Sequence, residues 1–474
     1  MSEYDAVIIG SGPNGLSAAI TLQEAGLKVL ILEAKATIGG GMRTEQVTLP
    51  GFNHDICSAI HPMAAASPIF NQWPLDKFGL EWMTPEIQAA HPLDNGHAAL
   101  LYKDISETVK SLGVDGERYE KLIHSVTDNW DKLAPHIFGP LSIPKHPLTL
   151  ASFGLKAMQP ATLFGKYFKG EEAKALWSGM AAHSILDLNK LATSAIGLVL
   201  MSVAHLKGWP FPKGGSQQLA NALGAYFKSL GGEIITNFEV KKLSDLPNSK
   251  AVLFDTSPKQ LMEIAGHQLS SIYKWQLNRF IYGMGVYKID WAIDGKVPFS
   301  NSEVSKAGCV HIGGTLKEIA AAEAITQKGG HPDKPFVLMA QQSIMDRTRA
   351  PEGKNAIWGY CHVPNGSTKD MTDNIENQIE RFAPGFKDRI ISKHRFNTAA
   401  FQKYNLNYIG GDINGGAINI SQLFTRPALR ISPYSTSNKQ LFLCSASTPP
   451  GGGVHGACGY HAAKTVLKKV FKIE

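Results

Sequence analysis

Ala6-Val7-Ile8-Ile9 is an apolar run without polar alternation, the pattern of a strand covered on both faces. Gly10-Ser11-Gly12-Pro13-Asn14-Gly15 follows at once, and Leu16, Ala19, Ile20 and Leu22 then recur at helical spacing as far as Gly26. Val29-Leu30-Ile31-Leu32 repeats the buried-strand pattern and ends on Glu33. This spacing predicts a βαβ unit, whose two strands must be parallel. Further along, the patterning predicts a helix over 217–230, short strands over 233–235 and 251–254, and longer strands over 283–290, over 335–339 and around Trp358. The chain closes with a strand over 440–444, a glycine-rich loop and a helix over 457–470.

The first turn carries chemistry. In a G-x-G-x-x-G placed after a strand and before a helix, Gly10 makes the tight turn, Gly12 lets the backbone approach a pyrophosphate, and Gly15 lets helix and strand pack closely. The phosphates then sit on the helix N-terminus. Glu33, 23 residues after Gly10, is placed to accept from a ribose hydroxyl and to repel a 2′-phosphate, which disfavours NADP. The unit alone does not separate FAD from NAD. A second match, Gly451-Gly452-Gly453-Val454-His455-Gly456, is followed by one helix with no further strand and no ribose-binding acid, so it announces no second dinucleotide site.

The continuation, Ile38-Gly39-Gly40-Gly41-Met42-Arg43-Thr44 and Pro50-Gly51-Phe52-Asn53-His54-Asp55, resembles the extended fingerprint of the amine oxidase and phytoene desaturase superfamily of flavoproteins. The resemblance runs along the chain through DICSAIHP (55–62), GWPFPKGGSQQLANAL (208–223), YKIDWAIDG (287–295), AGCVHIGGT (307–315), IWGYCHVPNG (357–366), IERFAPGFKDRI (379–390), IGGDINGGA (409–417) and STPPGGGVHGACGYHAA (447–463). Within the superfamily it points to the branch that contains pyridine nucleotide-disulfide oxidoreductase domain-containing protein 2. It implies an α/β fold, a Rossmann-like FAD-binding domain interleaved with an α+β substrate domain that has a mixed or antiparallel sheet and a helical cap. Residues 1–100, 205–270 and 405–474 are assigned to the first, 101–204 and 271–404 to the second.

The resemblance also implies the cofactor, FAD, and its contacts: Gly10, Gly12, Pro13, Asn14 and Gly15 at the diphosphate, Glu33 and Ala34 at the ribose, Gly40, Gly41, Met42 and Arg43 along the ribityl chain, and Val240 at the adenine. From the C-terminal end come Gly453 and Val454, with Ser445 in place of the acidic residue that many members carry on the last strand. Asp55, His61 and Tyr460 are expected on the substrate side. His455, beside the flavin loop, is the candidate general acid or base, with a hydrogen-bonded structural histidine as the alternative.

Composition narrows the remaining choices. The net charge of +7 over 474 residues is too dilute for a nucleic-acid footprint. The five cysteines contain no C-x-x-C, no histidine pair has H-E-x-x-H spacing, and there is no G-x-S-x-G elbow, so no metal site is expected and a bound flavin is left to carry the reaction. Unpaired cysteines, the absence of a basic n-region and the lack of any apolar run long enough to span a bilayer lead to the expectation of a cytoplasmic protein, with any membrane contact peripheral. One stretch fits such contact: residues 132–170 hold five lysines and no acid, interleaved with leucines and phenylalanines. That composition suits either a cap packed on its own domain or a surface that touches lipid or admits substrate.

The expected activity is hydride transfer to or from a carbon–carbon bond of a hydrophobic small molecule: a polyene, isoprenoid or acyl chain. A redox-neutral flavin isomerase and a flavin-containing scaffold for partner binding are the alternatives.

Overall fold

The computed structural model describes residues 3–473, so residues 1, 2 and 474 of the domain division lie outside the described residues. In chain order come β1 (Tyr4–Ile9), α1 (Pro13–Glu24), β2 (Val29–Leu32), β3 (Ile87–Pro92) and β4 (Ala98–Tyr102). The helices α2 (Pro147–Ala157), α3 (Glu171–Ala182), α4 (Thr193–Leu206) and α5 (Gln217–Ser229) follow, then β5 (Glu233–Ile235) and β6 (Ser249–Phe254). β7 (Gly285–Asp294), β8 (Ala307–Ile312), β9 (Val337–Ala340), β10 (Lys354–Val363) and β11 (Ile390–Phe396) lead to β12 (Leu441–Leu443) and α6 (Ala457–Val466).

Two sheets organise the chain. The first is wholly parallel, in the order β12-β6-β1-β2-β5, with Ile8 paired to Ile31 on one side and Leu253 on the other. Its central strands are buried on both faces, which is why Ala6–Ile9 carries no polar alternation. The second has seven strands in the order β11-β7-β10-β9-β8-β3-β4, antiparallel except where β8 meets β3. This is a Rossmann-like sheet with a mixed second sheet and helices, as the sequence implied. β3 and β4 lie in the second sheet, so the chain leaves the nucleotide sheet well before residue 100. Neither strand was foreseen; in β3, Gln88 and His91 interrupt the apolar pattern and are nevertheless buried.

The fold crosses between the sheets several times, and the crossings place the site. Residues 53–62 leave the nucleotide sheet and run beneath the second, and α6 packs along α1, bringing the C-terminal loop beside the first turn.

Candidate functional site

The first turn is built by close contacts that only glycine permits. A Cβ on Gly15 would sit 2.2 Å from the Gly10 carbonyl oxygen, and one on Gly12 would sit 2.5 Å from Asp255 Oδ2. Gly10 itself has φ +97°, so the chain reverses without a side chain to collide.

From this turn a single cavity of about 580 Å³ extends between the two sheets. Its nucleotide end is lined by Gly10, Gly12, Pro13 and Asn14, by Glu33 and Ala34, and by Val240. Gly40, Gly41 and Arg43 line the middle, and Ser445, Gly453 and Val454 close it from the C-terminal side. The far end is a chamber walled by Trp209, Trp358, Tyr360, Ile196, Leu200 and Leu338, with His61 and His183 also at the surface of the cavity. Residues scattered over more than 400 positions therefore meet in one elongated space.

Several expected residues take other positions. Gly15 does not line the cavity; it packs under Gly10. Met42 is fully buried in the core of the nucleotide domain. Tyr460 packs edge-on to His461 at 5.3 Å and is not among the lining residues.

His455 takes the position of the structural alternative, away from the cavity surface. Its Nδ1 accepts from the Ala457 N–H at 3.1 Å, its ring is bonded to the Gly451 and Gly452 backbone, and its edge meets Phe138 at 5.8 Å. Burial lowers its pKa to about 4, against the pull of those backbone bonds. The imidazole thus closes the loop behind Gly453 and Val454 and does not border the cavity. Position beside a glycine loop could not reveal which side of the loop the ring would occupy.

Asp55 is likewise outside the cavity, at the centre of a buried polar clasp. Its Oδ2 accepts from Arg349 at 2.5 Å and Gln342 at 3.0 Å, and its Oδ1 from Thr44 at 2.6 Å and the Ser216 N–H at 2.8 Å. Burial pushes this carboxyl up, but the Arg349 guanidinium and the hydrogen bonds outweigh it and the net shift is downward. Next to it, Lys288 and Asp290 pair at 2.6 Å on one face of β7, and Asp290 lies 3.5 Å from His54. Burial, with Lys288 and Arg349, drives the His54 pKa down to about 3. The only sequence signal for this clasp was the pair of charged residues, Lys288 and Asp290, inside an otherwise apolar strand.

Glu33 is where the sequence put it, and it is heavily engaged. It accepts from the Ser11 N–H at 3.0 Å, the Ser11 hydroxyl at 2.5 Å, the Lys35 N–H at 2.9 Å and Arg43 at 3.0 Å. Asp255, at the end of β6, was not foreseen. Its Oδ2 accepts from the Gly15 N–H at 2.9 Å, at the helix end where the sequence places a diphosphate. Burial pushes its carboxyl up to about 7, and the nearby Glu33 charge adds to the effect.

These residues fit a flavin dinucleotide. The first turn leaves no room for side chains, the buried Oδ1 of Asn14 faces no partner among the described residues, and the cavity is long enough to join the βαβ turn to the C-terminal loop. The NAD(P)-binding Rossmann-like domain family matches residues 8–73. Pyridine nucleotide-disulfide oxidoreductase domain-containing protein 2 of Rattus norvegicus is 25% identical across 98% of this chain and 94% of its own length. The lycopene-forming phytoene desaturase of Pantoea ananas is 22% identical across 95% of this chain and 96% of its own. Along nearly its whole length the chain is similar to FAD oxidoreductases of the phytoene desaturase/amine oxidase type. The fold agrees: putrescine oxidase bound to putrescine superposes with a TM-score of 0.61 over 98% of this chain and 99% of that one, at 16% identity.

Proposed function

We propose that the protein binds FAD in this cavity and transfers hydride to or from a carbon–carbon bond of a hydrophobic substrate, a polyene, isoprenoid or acyl chain. The observation that carries the reading is the continuity of the cavity, from the glycine turn to a chamber of tryptophan, tyrosine and aliphatic side chains. Bound FAD supplies hydride acceptance and release. The chain's own residues hold the dinucleotide at Gly10–Asn14 and Glu33, pass it along Gly40, Gly41 and Arg43, and enclose an apolar ligand away from water between Trp209, Trp358 and Leu200. None of the charged groups of the clasp borders the chamber, which suits a substrate whose reacting carbons carry no charge.

The reading is tested by anaerobic mixing of the holoenzyme with apolar candidate substrates. Net bleaching of the flavin with formation of a desaturated product is the expected result. Product without net bleaching would favour an isomerase, and neither, across polyene, isoprenoid and acyl candidates, would count against the reading.

We propose further that residues 132–170 face an anionic lipid surface. Ile143 is 95% exposed, Leu148 86% and Leu155 75%, so α2 turns leucines outward instead of packing them. Lys145 and Lys166 are exposed in the same segment, and no acid lies within it to oppose an anionic surface. α2 rests on α4, whose Ile196 and Leu200 line the chamber, which places this apolar face next to the wall that a membrane-borne substrate would cross.

A further inference from the structure

At the chamber end of the cavity, His183 follows the last turn of α3, and behind it lie three more buried histidines: His311 on β8, His91 on β3 and His362 on β10. Among the described residues no group of three or more such side chains is placed to hold a metal ion. His183 Nε2 instead lies 3.0 Å from His311 Nε2. Burial lowers the pKa of His183 to about 3 and of His91 to about 4, and takes His311 well below its ordinary value. These rings are therefore neutral, each with one N–H and one bare acceptor nitrogen.

Which nitrogen carries the proton follows from the partners. His91 Nε2 meets the Gly314 carbonyl at 2.7 Å and must donate, which leaves Nδ1 bare; that atom has no partner among the described residues. His362 Nδ1 meets Glu323 at 2.8 Å, and its Nε2 has no partner among the described residues. A buried N–H without an acceptor is costlier and rarer than an acceptor lone pair left alone. His311 Nδ1 is also unpartnered, against the backbone of Gly179, so it too is the bare nitrogen and His311 donates its Nε2–H to His183.

That assignment leaves His183 as the exception. Its Nε2 accepts, so its proton sits on Nδ1, which has no acceptor among the described residues and belongs to a ring that lines the cavity. Trp358 and Tyr360 also wall this chamber: the Trp358 Nε1 is buried and unpartnered, and the Tyr360 hydroxyl has no side-chain partner among the described residues. Around them Ile196, Leu200 and Leu338 offer no acceptor.

We propose that the His183 Nδ1–H is a substrate-recognition donor, and that the chamber takes a hydrophobic compound bearing a carbonyl or hydroxyl oxygen in preference to a pure hydrocarbon. The proposal rests on the reading of the chamber as the hydrophobic substrate site, and it makes His183 a specificity-determining residue. The His311 bond fixes the ring and tautomer, so the donor is organised before the ligand arrives.

Three probes of one ten-carbon skeleton test it: myrcene as the hydrocarbon, geraniol as the alcohol and geranial as the aldehyde, each titrated into the holoenzyme while tryptophan emission is followed. Geraniol and geranial are expected to bind about tenfold or more tighter than myrcene, the size of one hydrogen bond. His183→Phe should bring the three within about twofold while the Kd of myrcene stays unchanged. If that variant fails to load FAD, the wild-type preference decides alone. Saturable binding of all three with equal affinity overturns the oxygen subsite and leaves the hydrophobic chamber standing. A preference that persists in His183→Phe overturns the role of His183. Saturable binding of none of them overturns the chamber reading and the subsite together.

Discussion

Asp255 shows what a single carboxyl does to a phosphate site. Its raised pKa, about 7 against an ordinary 3.8, arises first from burial and then from Glu33, with the Gly15 and Gly12 N–H groups acting the other way. Because the folded value is raised, the apo-protein loses stability as pH climbs from about 4 to 7, where the unfolded chain ionises Asp255 and the folded one does not. A diphosphate at the same helix end favours the neutral acid further, so FAD binding should take up a proton above neutral pH. FAD titrations of apo-protein from pH 6 to 9 should give a Kd nearly constant below 7 that weakens by up to about tenfold per unit above it. Asp255→Asn should abolish the slope, and a flat wild-type profile would contradict this role. For His455 the expected outcome follows from its bonds: His455→Ala strips the acceptor from the Ala457 N–H and should cost about 1–3 kcal/mol and lower FAD occupancy. Unchanged thermal stability and flavin content would show that the ring does not hold the loop.

At the scale of elements, strands and helices with unbroken periodicity were legible in the sequence: β1, α1, β2, α5, β6, β12 and α6 fall close to where apolar spacing put them. β3 was not, since buried polar residues satisfied by distant partners look exposed in a pattern. Gln88, for instance, accepts from the Trp209 N–H at 2.5 Å, a contact across 121 positions. The segment around α2 was ambiguous for a different reason: apolar residues predict burial, and only the fold shows that Leu148 and Leu155 have nothing packed over them. The protein should therefore sediment with phosphatidylserine-containing vesicles and not with neutral phosphatidylcholine ones, with binding weakened by salt. Leu148→Glu with Leu155→Glu should abolish sedimentation and leave FAD content intact. Failure of the wild type to bind anionic vesicles would remove the lipid surface from the account.

Over the whole molecule, the dinucleotide half of the site was readable because its glycines and Glu33 act within one βαβ unit. The chamber was not, because His183 after α3, Trp209 after α4, Leu338 on β9 and Tyr360 on β10 meet only in the folded chain. What fastens the halves is the clasp of Asp55 with Arg349 and Gln342, beside Lys288 and Asp290. Removing one member of a buried pair strands the other charge, so Arg349→Met should destabilise the protein by about 3–5 kcal/mol in urea unfolding. A loss below about 1 kcal/mol would mean that solvent reaches Asp55.

That the two ends of the chain enclose FAD can be read by denaturing the purified protein and quantifying the released cofactor. Close to one FAD per chain should be released, and almost none from Gly12→Val, whose side chain would enter the Asp255 carboxyl and the diphosphate path. A colourless wild-type protein that cannot be reconstituted with FAD, yet binds NAD tightly, would contradict it.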